Sequence, residues 1–119
     1  MLKILIIEDD LLMLDVINII ISEYSHIFEI NVINPREYTL DSILQDIAFN
    51  NYDYLFLDHN YNLPFTGKDI AAKSNFSRYI YSISGGNTDI EYSNEHIGKL
   101  SISFFNKFSK LYIQSQSYA

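Results

Sequence analysis

Short apolar runs alternate along this chain with longer segments of helical period. The runs are Lys3–Ile7, Glu29–Ile33, Tyr52–Leu57, Arg78–Ile83 and Ser101–Phe105. Each is rich in Ile, Val, Tyr or Phe and is bounded by polar or turn residues, which marks strands. Between them, Leu11–Tyr24 carries Leu14, Ile17, Ile21 and Tyr24 at helical spacing, with Asp9 or Asp10 placed to cap its start. Leu40–Phe49 has Leu40, Ile43, Leu44 and Ile47 on one stripe, and Gly67–Ser74 turns Ile70 and Ala71 inward. Thr88–Lys99 is predicted helical with only Ile90, Tyr92 and Ile97 to bury, and Ser109–Ser115 forms a short last helix around Leu111, Tyr112 and Ile113.

Strand and helix thus alternate five times. That spacing requires crossover connections, and so an α/β fold with a parallel sheet covered on both faces. Ile4–Ile7 and Tyr54–Leu57 are apolar without alternation, as central parallel strands are. The first helix is apolar all round: Leu12 and Ile19 cannot face the sheet together with Ile17 and Ile21. No internal repeat or linker interrupts the pattern, so residues 1–119 are expected to form one domain with no output domain after it.

Composition narrows the function. Eight Lys and Arg against fifteen Asp and Glu give a net charge of -7. A nucleic-acid or anionic-membrane surface needs a basic patch, so neither partner is expected. There is no cysteine, which excludes disulfides, thiolate metal sites and cysteine nucleophiles. The apolar start is too short for a signal peptide and no run approaches the ~20 residues of a membrane span. A cytoplasmic location is expected.

Candidate chemistry comes from the residues that follow each apolar run, because open parallel sheets carry their sites beyond the carboxyl ends of the strands. Glu8 and Asp9 follow the first run, Asp58 the third, Ser84 and then Gly85 and Gly86 the fourth, and Asn106 and Lys107 the fifth. The second ends at Asn34 and Pro35, without charge. Singly, these are ordinary caps, turn residues and solvated side chains. Together, three acids, a hydroxyl and a lysine meet at one sheet edge. Clustered carboxylates need a cation, and an all-oxygen set suits Mg²⁺ better than zinc. A carboxylate beside Mg²⁺ can attack phosphorus and become an aspartyl phosphate. Lys107 would then neutralise phosphoryl oxygens, and Ser84 would bond one of them.

At this point the residues resemble a known family, the receiver (phosphoacceptor) domains of bacterial response regulators. The resemblance spans nearly the whole chain. It rests on the blocks Lys3–Asp10 and Tyr52–Asp58, then on Leu63, Pro64 and Gly67, on Ser84 and Gly85, and on Phe104–Lys107. It implies a flavodoxin-like (βα)5 fold of strand order 2-1-3-4-5. It makes Asp58 the residue phosphorylated by a sensor histidine kinase or a histidine phosphotransfer protein. Glu8 and Asp9 become the Mg²⁺ pair, with Asp9 favoured as the direct ligand, and Asn60 supplies a backbone carbonyl to the metal. Ser84 is implied as the switch hydroxyl, Lys107 as the phosphate-binding lysine and Phe104 as the switch aromatic. The chain would be a signalling switch rather than a metabolic enzyme. It would act on a downstream protein target through the fourth helix, fifth strand and fifth helix, and a homodimer is compatible with it.

Departures from the family pattern accompany this. Pro64 stands six residues after Asp58 and Gly67 nine, where the family has four and eight, so the loop is longer. Phe108 follows Lys107 where the family has a cis-bonded proline. A cis bond without proline costs about 3–4 kcal/mol, so a trans bond is expected there. These departures favour a second reading, a degenerate receiver that docks or dimerises without phosphorylation. A third, a flavodoxin-like cofactor binder or phosphatase, is opposed by Glu8–Asp10, which would repel a phosphate where such proteins present backbone donors. His26, His59 and His96 have no second histidine at metal spacing and read as structural or surface residues.

Overall fold

β1 (Leu2–Ile7) lies in the interior of the sheet, and its register fixes the rest. The computed structural model describes residues 1–58, 61–84, 92–98 and 101–117, with the backbone course alone at 84, 98, 101–105 and 115–117. β1 is followed by α1 (Leu11–Tyr24), β2 (Phe28–Ile33), a short 3₁₀ turn (Pro35–Glu37), α2 (Leu40–Asn50), β3 (Tyr54–Asp58), α3 (Gly67–Ser74), β4 (Tyr79–Ser84), β5 (Glu95–Gly98) and α4 (Ser101–Ser117). The five strands form one parallel sheet in the order β2-β1-β3-β4-β5, the expected α/β topology.

Alternate residues of the central strands feed two cores. Ile4, Ile6 and Phe56 join Met13, Ile17 and Ile20 of α1 and Phe108 and Leu111 of α4 on one face. Leu5, Ile7, Leu55 and Leu57 join Ile43 and Ile47 of α2 and Ile70 of α3 on the other. Both faces are covered, so Ile4–Ile7 of β1 and Leu55–Leu57 of β3 are apolar without interruption up to the acids at their carboxyl ends. Local chemistry ends the helices: Asp10 accepts from the Leu12 amide at 3.0 Å to cap α1, and Asn51 and Asn75 take left-handed conformations after α2 and α3. Leu12 and Ile19 are exposed, as α1's excess of apolar residues requires.

The first four strands and first three helices stand within two residues of their expected bounds. The end of the chain does not. Ser101–Phe105, expected as the fifth strand, is the start of α4, and β5 lies within the segment expected as the fourth helix. Ser109–Ser115 is only the latter part of that long last helix. Ser101–Phe105 has strand-like composition, yet Phe104, Phe108 and Leu111 recur at helical spacing. Burying Phe108 and Leu111 against Phe56, with the Phe56 and Phe108 rings stacked at 5.3 Å, outweighs local preference. β5 has one strongly β-prone residue, Ile97, and is defined by pairing with β4. Its connection from β4 spans only residues 85–94. No peptide bond among the described residues is cis, and Lys107–Phe108 lies inside α4.

Candidate functional site

Three acids converge at the carboxyl edge of the sheet. Glu8 and Asp9 follow β1, and Asp58 ends β3 beside it. Glu8 is fully buried and Asp58 is 3% exposed. Carboxylate oxygens of all three lie within 4.8 Å of one another, close enough to hold one metal ion. The loop after β1 is tied down by the Glu8 amide donating to the Ile33 carbonyl at 3.1 Å. The Asp10 amide donates to Glu8 Oε1 at 3.0 Å, which holds that side chain inward.

Arg36 also belongs to this edge. Its Nε donates to Asp9 Oδ2 at 3.1 Å and its Nη2 to the Tyr61 carbonyl at 3.2 Å. Asn34 caps the 3₁₀ turn that delivers it, accepting from the Arg36 amide at 3.1 Å. Reading only the residues directly after β2 misses this cation, which stands two positions beyond Asn34.

Two phenols lie against the acids. Tyr61, on the loop after β3, is fully buried, and its hydroxyl donates to the Ile7 carbonyl at 3.4 Å. Burial, and then the Asp58 charge, push its pKa well up. Tyr92 is shifted the same way by the same two causes, so both phenols stay protonated beside the carboxylates. Gly67, at the start of α3, completes the packing. A Cβ there would lie 2.4 Å from the Asp58 carbonyl oxygen and 2.8 Å from the Tyr92 hydroxyl. Neither tyrosine stood out in the sequence, because an aromatic residue in a Tyr-rich chain is ordinarily core.

The other predicted residues divide. Ser84 ends β4 one residue past Ile83, the register partner of Asp58, so its backbone is at this edge. Asn60 lies outside the described residues. Lys107 is not at the edge. It sits on α4, ion-paired with Glu95 and 5.3 Å over the Tyr81 ring. Glu95 and Tyr81 are register partners three residues before Gly98 and Ser84, roughly 10 Å back along the strands. The displacement follows from the error in the fifth strand: a helix in place of that strand carries Lys107 to the opposite end. Phe104 likewise stands on α4 and not on a strand. The residue next in sequence to β5 is Lys99.

No protein-family model and no curated protein matches the chain. Solved structures do. A chain from the crystal structure of histidine kinase ThkA in complex with response regulator TrrA superposes with a TM-score of 0.68 at 20% identity, covering 93% of this chain and 98% of that one. The N-terminal domain of a response regulator receiver protein from Methanoculleus marisnigri gives 0.65 at 12% identity, covering 93% and 94%. A Vibrio cholerae chemotaxis protein gives 0.65 at 11% identity, covering 92% and 98%. The chain therefore has the fold of response-regulator receiver domains. Among the described residues no helix is long and apolar enough to cross a membrane.

Proposed function

We propose that this chain is a phosphoryl-accepting receiver, with Asp58 as the acceptor. The observation that carries this is the cluster of buried Glu8 and Asp58 with half-buried Asp9 at the carboxyl edge of a receiver-type sheet. Three carboxylates this close repel one another, and a bound cation would offset that repulsion. The donor set is all oxygen, which fits Mg²⁺. Glu8, Asp9 and Asp58 would hold it, with the Asn60 carbonyl as a further donor. Bound there, Mg²⁺ supplies charge neutralisation for the transferred phosphoryl group.

The chain's own residues do the rest. An oxygen of Asp58 attacks the phosphorus of a phosphohistidine on a kinase or phosphotransfer partner. The new O–P bond forms as the N–P bond breaks, and the imidazole nitrogen leaves with the bonding pair. Burial of Asp58 among Tyr61, Gly67 and Tyr92 keeps bulk water from its far side. Lys99 takes the role of phosphate-binding lysine, since it follows the strand that ends beside Ser84. Ser84, the last residue of β4, takes the role of the hydroxyl that bonds a phosphoryl oxygen. Its movement would alter the β4–β5 side of the molecule, a charge event read out as a surface change for a downstream protein.

A specific observation favours the second reading. Arg36 already bridges Asp9 and the Tyr61 carbonyl, supplying part of the positive charge a metal would bring. A receiver neutralised in this way would dock partners without phosphorylation. Intact mass after incubation with Mg²⁺ and acetyl phosphate separates the two, with Asp58→Asn alongside. One phosphoryl adduct that needs Mg²⁺ and is absent in the variant supports transfer. No adduct, together with no Mg²⁺-dependent thermal shift by beryllium fluoride, overturns transfer and favours the docking module.

A further inference from the structure

Arg36 reaches across the acidic edge from the β2 side. Its Nε donates to Asp9, in the loop after β1, and its Nη2 to the Tyr61 carbonyl, three residues past Asp58. The guanidinium therefore bridges the loops that follow β1 and β3, the two paired strands that carry the acids. Oxygens of Glu8, Asp9 and Asp58 lie within 4.8 Å of one another, so a group that touches Asp9 stands close to any group carried by Asp58.

The backbone and the side chain of Arg36 differ in freedom. The 3₁₀ turn is pinned: Asn34 accepts from the Arg36 amide, the Glu37 amide donates to the Asn34 carbonyl at 3.0 Å, and Pro35 is buried. The Arg36 side chain is 49% exposed against 12% for Asp9, so it can exchange partners while the turn stays in place. Two of its five N–H groups are engaged, and the other three have no partner among the described residues.

An arginine on one carboxylate is ordinarily a surface ion pair. Two features set this one apart. Its acid is one of three that a metal ion would draw together, so that ion and Arg36 compete for Asp9. Lys107, the cation expected to hold phosphate, is paired with Glu95 toward the other end of the sheet. We infer, resting on Asp58 as the acceptor, that Arg36 is a phosphoryl-binding residue of this site. Asp9 gives up the guanidinium when it joins the metal site, and the freed N–H groups donate to oxygens of the group on Asp58. A planar fork suits this task, because it can bond two phosphoryl oxygens at once. Arg36 comes from the β1–β2 side of Asp58, and Ser84 ends the strand on its other side.

The test measures Mg²⁺ and the phosphoryl analogue beryllium fluoride separately, on the wild type and on Arg36→Ala. Titration calorimetry should find Mg²⁺ alone bound several-fold tighter by the variant, because Asp9 has lost its competitor. At saturating Mg²⁺, fluorine NMR should find beryllium fluoride bound about tenfold or more weaker, as loss of charge-assisted hydrogen bonds does. The opposite signs are diagnostic. Simple neutralisation of Asp9 would leave the analogue as tight or tighter, and support of the Tyr61 loop would weaken both ligands. The wild type gives a second readout that does not depend on the variant. The chain has two arginines, and Arg78 is paired with Asp53 just before β3, far from the acids. With Mg²⁺ present, beryllium fluoride should move the Arg36 Nε–H resonance and leave that of Arg78 in place. Analogue binding as tight or tighter in the variant, weaker binding of both ligands, or an unmoved Arg36 resonance overturns the inference and leaves Asp58 standing as acceptor. No Mg²⁺-dependent analogue binding by the wild type overturns the acceptor itself, and the role of Arg36 with it.

Discussion

Replacing Gly67 by alanine sets two known effects against each other. Gly67 opens α3, and no glycine among the described residues has a positive φ. Alanine can therefore adopt its backbone conformation. Helix propensity and unfolded-chain entropy alone predict a gain of about 0.4–1 kcal/mol. Packing predicts the reverse. The new Cβ would sit 2.4 Å from the Asp58 carbonyl oxygen, which is rigid backbone, and 2.8 Å from the Tyr92 hydroxyl. A carbon and an oxygen at ordinary contact stand about 3.4 Å apart or more, so α3 must retreat by about an ångström. Overpacking of that kind costs about 1–3 kcal/mol, which exceeds the propensity gain. Urea denaturation should give a net loss of about 1–2 kcal/mol at unchanged m, or several degrees in Tm for a domain of this size. Tyr92→Phe should return only part of that loss, because the carbonyl contact remains, and a double-mutant cycle reads the shared part. A Gly67→Ala protein as stable as the parent, or more so, would refute the close approach of α3 to Asp58.

Other outcomes follow from the same structure. Tyr52, Tyr61, Tyr81 and Tyr92 all have pKa values raised first by burial. Unfolded tyrosine releases its proton near pH 10 while these four hold theirs, so stability is intact below that pH and falls above it. The slope approaches ~5 kcal/mol per pH unit for four protons, and tyrosinate absorbance should lag free tyrosine until a cooperative jump at unfolding. Arg36→Ala should tighten Mg²⁺ binding several-fold, because Asp9 loses its bridging cation, while metal-free stability changes by no more than about 1 kcal/mol. Titration calorimetry checks this, and unchanged or weaker binding would count against Asp9 as a ligand. Lys107→Ala should leave acetyl phosphate labelling of Asp58 unchanged, whereas Lys99→Ala should slow it by about tenfold or more, as loss of a charge stabilising the transferred group does. The opposite ranking would return the phosphate role to Lys107.

The legibility of the chain follows how local each signal is. Ile4–Ile7 and Leu55–Leu57 are buried on both faces, so their unbroken apolarity declares central parallel strands, and the acids at their ends stand out by contrast. Glu8, Asp9 and Asp58 were visible for that reason. Asp10 and Thr39 announce their helices through caps that depend only on neighbouring residues. Arg36 was hidden because its position depends on how a 3₁₀ turn returns over the edge. Tyr61 and Tyr92 were hidden because nothing local separates a phenol beside a carboxylate from one in a core.

The last third of the chain shows what sequence alone does not decide. Ser101–Phe105 carries strand-forming residues, and Glu95–Gly98 carries few, yet the structure makes the first a helix and the second a strand. Burial of Phe108 and Leu111 and pairing of Tyr81 through Ser84 with Glu95 through Gly98 set that outcome, and both are contacts distant in sequence. Local preferences are worth tenths of a kcal/mol per residue, whereas one buried aromatic ring is worth about 1.5–3 kcal/mol. The hydrophobic pattern therefore determined the class of fold, which strands are central and the acids at their ends, while the strand order came only with the resemblance to receiver domains. Tertiary packing alone decided which segment became the fifth strand, and with it that Lys107 is drawn to Glu95 at the other end of the sheet.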